Sequence, residues 1–434
     1  MAHPDAIIIG TGVIGTAIAF EMAKLGWKTV SLDRNTQIGH GSTAGSCAVI
    51  RMHYSTFEGT AFAWEGYHYW RDWFDYLGLP SHTILAKFKE CGCLVMRTEK
   101  NGHLEKHLAN SRRLNIPVEE WDSAKINARL PIYSLDSYSP PKLRIDQSFG
   151  VSNGKRIEGG LYWPNAGYVT DPALSSQNLA DAAKNLGADF CLGVEVIEIL
   201  QKSGKVQGIR LGDGKEIHAP VIVNVAGPGS SHVNRLAGVV EEMTIKTGPL
   251  RQEVAHVPAP TGFDFERRGM IVSDSDIGIY VRPEHGNNIL IGSEDPSCDE
   301  HVWTRDDINY EREFTDQWNT QVLRYGQRVP SLGIPSQTRG VVDLYDASTD
   351  WIPIYDKSSL HGFYMACGTS GNQYKNAPIA GKMMAALIDY CEAGTNHDTT
   401  PLTYRMPYTG RSINVGFYSR KRLINEESSF SVVG

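Results

Sequence analysis

The sequence predicts an α/β fold in which a Rossmann-like domain is interleaved with a second domain built on an antiparallel sheet. Three observations carry this. A β-branched run, Ala6–Ile9, leads straight into Gly10-Thr11-Gly12-Val13-Ile14-Gly15 and then a helical stretch. Two more Gly-rich junctions follow apolar strands far downstream, Val225-Ala226-Gly227-Pro228-Gly229 and Cys367-Gly368-Thr369-Ser370-Gly371. Between them, segments such as 278–282 and 288–292 alternate with the two-residue period of half-buried strands. Elements of one nucleotide-binding domain thus stand at the start, the middle and the end, with other material inserted.

Taken in order, Ala6–Ile9 reads as a buried parallel strand. Residues 16–25 have helical composition and Gly26 stops them. Residues 29–32 form a second strand that ends on Asp33 and closes a βαβ unit. A helix dense in Trp, Tyr and Phe is predicted at about 58–77, while 90–150 hold no clear βαβ pattern. Residues 159–169 read as strand and turn. Residues 171–186 read as a helix, with Thr170 or Asp171 as N-cap and Pro172 in the first turn. Residues 194–200, 206–211 and 217–218 make a meander with turns at Gly204 and Asp213-Gly214. Residues 221–225 are a buried strand, 247–293 an antiparallel sheet, Phe363–Cys367 another strand, and 377–390 the last helix. The first domain is assigned residues 1–90, 155–240 and 338–400, and the second 91–154 and 241–337. Residues 401–434 form a C-terminal extension that wraps its own domain or meets a partner.

Glycine is in excess, 43 of 434 residues or 9.9 %, against a typical ~7 %. The surplus is expected where backbone turns tightly or approaches a ligand. The hydrophobic share of 41 % and charged share of 21 % are ordinary for a globular chain. A net charge of -7 argues against a nucleic-acid partner. The one dense basic cluster, Arg420-Lys421-Arg422, is expected to be solvated surface. Seven cysteines, an odd number without a CxxC pair, fit reduced thiols and a cytoplasmic location. The first apolar run is already a strand, so no signal peptide is expected. The uncharged stretch 6–20 is too short and too rich in Gly and Thr for a membrane span. Fourteen histidines occur without an HxH or HExxH pattern, so no metal site is expected.

The βαβ unit has the parts of a dinucleotide site. Gly10 permits the tight turn, Gly12 lets a pyrophosphate approach, and Gly15 lets helix and strand pack closely. The helix N-terminus at Val13 and Ile14 offers N–H groups to phosphate. Asp33, with Arg34 beside it, can accept hydrogen bonds from ribose hydroxyls. This unit does not separate NAD from FAD. The two distant Gly-rich junctions do: they suit FAD, whose isoalloxazine lies far from the first turn and near a second helix N-terminus.

Further segments carry a resemblance. They are Gly41-Ser42-Thr43-Ala44-Gly45-Ser46 through Arg51, Gly159-Gly160-Leu161-Tyr162 through Asp171-Pro172, Val225-Ala226-Gly227, and Gly368 through Lys375. With the N-terminal fingerprint they make the chain resemble the D-amino-acid-oxidase-like family of FAD enzymes over about residues 5–390, and within it the sarcosine oxidase group. The resemblance implies a GR2-type FAD-binding domain, a substrate domain on an antiparallel sheet, and oxidation of a C–N bond beside a carboxylate. It implies FAD contacts at Gly10, Gly12, Val13, Ile14, Gly15, Asp33, Arg34, Gly41, Ser42, Thr43, Ser46, Val196, Ala226, Gly227, Gly368, Ser370, Gly371, Asn372 and Lys375. Arg51 and Lys375 match the residues that hold the substrate carboxylate. Tyr280 and Tyr345 match pocket walls, and Glu294 falls where sarcosine oxidase has an active-site histidine.

The departures are informative. Asp343 stands where sarcosine oxidase links its flavin through cysteine. Ala44 or Gly45 stands where the dimethylglycine enzymes use a flavin-linked histidine. Non-covalent FAD is therefore expected. Leu290 replaces the lysine that assists reaction with oxygen, which leaves oxygen or a redox carrier as acceptor. The expected function is oxidation of a secondary or N-methylated, sarcosine-like amino acid to an imine that hydrolyses. Alternatives are a D-amino-acid or 2-hydroxy-acid dehydrogenase on the same fold, or a flavin subunit of a larger oxidase complex; the oligomeric state stays open. From the residues alone, Arg51 reads as a salt-bridged arginine, Lys375 as a surface lysine, Tyr280 and Tyr345 as core or sheet-face aromatics, His53 as a structural hydrogen-bonder, and Asp343 as a plain loop residue.

Overall fold

The computed structural model describes residues 3–433. Strand β1 (Ala6–Ile9), helix α1 (Val13–Lys24) and strand β2 (Thr29–Asp33) form the first unit. They belong to a six-stranded sheet ordered Ile354–Lys357, Phe363–Cys367, Val221–Asn224, β1, β2, Asp189–Leu192. Every pairing is parallel except the first, which is antiparallel. All residues of β1 and of Val221–Asn224 are buried, as strands covered on both faces must be. On one face α1 packs against Pro172–Asn185 and Ala377–Glu392. On the other, Val196, Ile199, Val206 and Ile209 of the predicted meander meet Ile7, Ile9 and Val30.

The aromatic helix is two helices, Phe57–Arg71 and Trp73–Leu77. Asp72 breaks it: its backbone leaves the helical range and its carboxylate pairs with Arg71. Asp171 caps helix Pro172–Asn185 by accepting from the Leu174 N–H, as its sequence position predicts.

The second sheet has nine strands. Its centre is Thr247–Pro258, Asn288–Ser293, Ile279–Glu284 and Ile271–Asp274, followed by Cys93–Met96, Gly159–Trp163 and Glu119–Asp122. Helix Asp316–Arg328 covers one face, where Trp318, Val322 and Tyr325 meet Ile279, Val281, Ile289 and Ile291. The alternate residues, Tyr280 among them, face a cavity between the two sheets. Gly159–Trp163 and Gly340–Ser348 fall in stretches assigned by sequence to the first domain. Their ladders with Cys93–Met96 and Thr247–Pro258 place both in this large sheet, so the expected boundaries shift there. The patternless stretch 90–150 supplies two of its strands.

Residues past 400 fold back onto the core. The expectation that Arg420-Lys421-Arg422 is solvated surface fails for both arginines. Arg420 is fully buried and bonds Asp356 at 2.9 Å, Asp398 at 2.9 and 3.0 Å, and Glu242 at 3.0 Å. Arg422 clamps Asp350 at 2.7 and 2.9 Å. Only Lys421 keeps an exposed side chain. A guanidinium leaves water only for well-placed counter-charges, and these come from three separate segments. Replacing Arg420 by Met strands the fully buried Asp356. We expect a loss of about 3–5 kcal/mol in urea unfolding, against no more than about 0.5 kcal/mol for Lys421→Met.

Candidate active site

The cavity, ≈ 440 Å³, runs from the β1–α1 turn to the large sheet. At the first end Gly10 has φ +117°, and a Cβ there would overlap the Val225 carbonyl. A Cβ on Gly12 would lie 3.0 Å from Thr43 Oγ1, the atom that accepts the Val13 N–H at 3.1 Å. Gly12 caps α1 without a side-chain bond, and Gly12, Val13, Ile14 and Gly15 line the cavity. Backbone and the positive end of the helix dipole therefore face this space. Asp33 is held by the Thr11 N–H and hydroxyl and the Asn35 N–H, each at 2.8 Å. Arg34 pairs with Asp307 at 2.6 Å. Gly41, Ser42, Thr43, Ser46, Val196, Ala226 and Gly227 complete this half of the wall.

At the other end stand two buried basic side chains. Arg51 follows the short strand Val49–Ile50. Its Nη1 donates to the His53 carbonyl and its Nη2 to the Val432 carbonyl at 2.9 Å. Lys375 lies on the turn that opens helix Ala377–Glu392, and its Nζ donates to the Asn372 carbonyl at 2.6 Å and Tyr54 Oη at 3.0 Å. Both cations sit on the Tyr54 ring, 4.5 and 5.3 Å from its centre. Burial, with the Arg51 charge adding to it, holds Lys375 well below the usual ammonium range. Among the described residues every other buried cation, Arg251, Arg282, Arg324, Arg328 and Arg420, has a carboxylate within 4 Å; Arg51 and Lys375 have none.

Between the cations and the sheet lie Tyr280, Tyr345 and Glu294. The Tyr280 ring lies over Gly292 and the Tyr345 ring over Gly371, and a Cβ on either glycine would overlap its ring. The Tyr280 hydroxyl is 3.4 Å from Cys47 Sγ. Glu294 Oε1 accepts from Ser273 Oγ. Burial raises the Glu294 carboxyl to about 8, against the pull of that hydrogen bond and of Arg51.

The structure brings together most residues singled out in the sequence. Gly368 and Ser370 are the exceptions: neither lines the cavity. The Gly368 N–H donates to Asp346 at 2.6 Å, and Ser370 Oγ accepts the Ser348 N–H at 3.1 Å, so the two shape the turn from behind. Asp343 is a strand residue that lines the cavity and takes Ser42 Oγ at 3.4 Å. Leu290 stays off the wall, opposite Arg282 in its ladder. The sequence did not flag Ser273, Cys93, Tyr310, Arg312, Val432 or Val433, all of which line the site. Strand alternation could have put Ser273 on the face opposite Val272; nothing local marks the others.

A family profile described as "FAD dependent oxidoreductase" matches residues 5–387. The chain belongs to this family of FAD-dependent oxidoreductases. It is 22% identical over 424 residues to FAD-dependent oxidoreductase domain-containing protein 1 of Mus musculus, covering 88% of this chain and 81% of that protein. It is 22% identical over 389 residues to sarcosine oxidase subunit beta of Rhodobacter capsulatus, covering 88% and 84%. The crystal structure of L-proline dehydrogenase from P. horikoshii superposes with a TM-score of 0.74 at 18% identity, over 96% of this chain and 97% of that one, and so shares the fold.

The residues present fit FAD. A side-chain-free turn at Gly10 and Gly12 and an uncapped helix start suit a pyrophosphate, and the pinned Asp33 carboxylate suits a ribose. The cavity then continues past Ser42 and Thr43 to Gly371 and Lys375. No cluster fit for a metal exists among the described residues, and none of their helices is long and apolar enough to cross a membrane. The thiols nearest the site, Cys47 and Cys93, are pushed up by burial, which makes them poor nucleophiles. Acid precipitation of the holoprotein is expected to leave all of its flavin in the supernatant. Flavin fluorescence in the washed pellet would show a covalent link instead.

Proposed function

We propose that the chain oxidises the C–N bond of a secondary or N-methylated amino acid, giving an imine that water hydrolyses. One observation carries this reading: Arg51 and Lys375 are buried in one cavity with neutral partners only. A buried guanidinium without a counter-charge is costly, and an entering carboxylate supplies that charge and favours the ammonium form of Lys375 beside it. A guanidinium fork fits a carboxylate in shape as well as charge.

The remaining groups suit the other end of an amino acid. Ser273 occupies Glu294 Oε1, which leaves Oε2 to take a proton from the substrate ammonium. Tyr280 and Tyr345 offer aromatic walls to an N-methyl or ring carbon and attract the ammonium form. When bound, FAD supplies the acceptor for the hydride equivalent that leaves the carbon beside nitrogen. The chain's share is to fix the carboxylate at one end and the nitrogen at the other, so that one C–H is presented in one orientation. The names of the sarcosine oxidase subunit and of L-proline dehydrogenase, both of secondary amino acids, support the substrate class.

Anaerobic mixing with a panel of substrates tests this. Sarcosine, other N-methyl amino acids or proline are expected to bleach the flavin band, while 2-hydroxy acids, which lack the nitrogen that Glu294 meets, leave it unchanged. Bleaching by hydroxy acids or D-amino acids alone would overturn the reading. Arg51→Met is expected to lower kcat/KM for the bleaching substrate roughly 10- to 100-fold, mainly through KM; unchanged kinetics would remove Arg51 from the site. The pH profile follows from Glu294. Its carboxyl is raised by burial, so the proton-accepting carboxylate forms as pH rises through about 8. In the parent, kcat/KM should climb through that pH, and Glu294→Gln should lack that limb.

A further inference from the structure

Residues past 387 lie outside the family match, yet their far end returns to the cavity. Arg51 Nη2 donates to the Val432 carbonyl at 2.9 Å, and Val432 and Val433 line the cavity wall. The Val432 side chain packs on Leu250, Ala347 and Trp351, the cluster that also seats Tyr345. The approach is built rather than loose. Arg420 and Arg422 fasten the chain to Asp356, Asp398 and Asp350. Two serine hydroxyls then turn it, Ser428 Oγ accepting the Phe430 N–H and Ser431 Oγ the Val433 N–H, both at 3.2 Å.

We propose that this segment is an internal ligand of the substrate site: the Val432 carbonyl holds the Arg51 seat in the resting enzyme, and an incoming carboxylate displaces it. The inference rests on the reading that Arg51 receives a carboxylate. The carbonyl satisfies a buried guanidinium donor that would otherwise stand unpaired, which is costly. It is also a weak enough partner to give way. The bond to the carbonyl is charge-assisted on one side only, whereas a carboxylate also brings a counter-charge and can accept two parallel N–H bonds from the guanidinium, so exchange favours an anion. Because the segment is tethered, it competes at an effective concentration on the order of millimolar. The apparent affinity for any occupant of the seat then falls by the fraction of molecules whose seat is open. Small carboxylates at low concentration are thereby kept out, and a substrate that also engages Glu294 and the tyrosine walls gets in.

The test uses the FAD-loaded full-length protein, a variant ending at Asn425 that keeps both arginine anchors, and the double variant Val432→Gly/Val433→Gly, which keeps the length but loses the apolar contact. Acetate is titrated into each and followed by the shift of the visible flavin spectrum. Hydrogen exchange of residues 426–433 is measured in the full-length protein with and without saturating acetate. The expected result is a Kd for acetate roughly tenfold lower in the shortened chain and intermediate in the double variant, with acetate speeding exchange in the segment. If acetate perturbs the full-length flavin in an Arg51-dependent way, but neither variant binds it tighter, the internal-ligand proposal is overturned while the carboxylate seat stands. If acetate perturbs none of the chains, both fall. Should the shortened chain lose its flavin, the double variant and the exchange measurement decide.

Discussion

A buried guanidinium and a buried lysine amine that share one cavity without a counter-charge are the constraint around which this molecule is arranged. Elsewhere the fold pairs its buried arginines with care: Arg328 meets Asp274 and Asp276, Arg324 meets Asp299, and Arg251 meets Glu253. At Arg51 and Lys375 it declines to do so. Left alone, such groups draw in water or lose their protons, and burial beside Arg51 moves Lys375 toward the second course. The aromatic helix Phe57–Arg71 holds its backbone in place. Trp70 Nε1 donates to the Lys375 carbonyl at 2.7 Å, and its ring stacks on Trp73 and Tyr374. Gly66 lets the same helix approach so closely that a Cβ would lie 2.8 Å from that carbonyl. Lys375 thus sits on backbone gripped from outside the sheet, at the positive end of helix Ala377–Glu392, which adds to the pull on an anion.

Glycines at the cavity have two uses, and only one concerns a cofactor. Gly10 lets the turn close against the Val225 carbonyl, and Gly12 leaves bare backbone facing the cavity. Gly292 and Gly371 are instead footings for tyrosine rings on the far wall. A side chain at either would push Tyr280 or Tyr345 into the cavity and change its width without touching its charge. Backbone at a bare position is also less deformable as a surface than a rotatable side chain. The distance between the two aromatic walls is therefore set by the sheet and the turn rather than by rotamers.

How much of this was legible in the sequence depends on the range of the interaction. The βαβ unit was legible because its glycines, strand and helix are contiguous and each has a local reason. Strand Phe363–Cys367 and the Asp171 cap came through for the same cause. Arg420 did not, because its partners Glu242, Asp356 and Asp398 lie far away in the chain and a triplet of basic residues looks like surface. Gly340–Ser348 was assigned to the first domain because its sequence neighbours, not its ladder partner Thr247–Pro258, set the expectation. Within the site, Arg51 and Lys375 came from a family resemblance. No local pattern shows that residues 324 positions apart will share the ring of Tyr54.

The electrostatic pattern also explains why Glu294 is tolerated so near Arg51 without forming a salt bridge. A fully ionised carboxylate there would neutralise the guanidinium and remove the reason for the proposed substrate carboxylate to bind. Burial counters this by raising the Glu294 carboxyl to about 8, while the Ser273 hydroxyl holds one oxygen in place. At neutral pH the site thus presents net positive charge to the acid end of a ligand and a mostly protonated carboxyl to its nitrogen end. An ammonium arriving beside Glu294 shifts that balance, because an adjacent cation favours the ionised form. The two ends of the site are coupled through charge: a carboxylate on Arg51 screens the cation that helps ionise Glu294, and the ammonium replaces that influence. A zwitterion satisfies both ends at once, whereas a simple anion or a simple amine satisfies one and worsens the other. On the proposed reading, in which Arg51 takes the carboxylate and Glu294 the nitrogen, recognition of an amino acid as a unit follows from this arrangement of burial and charge.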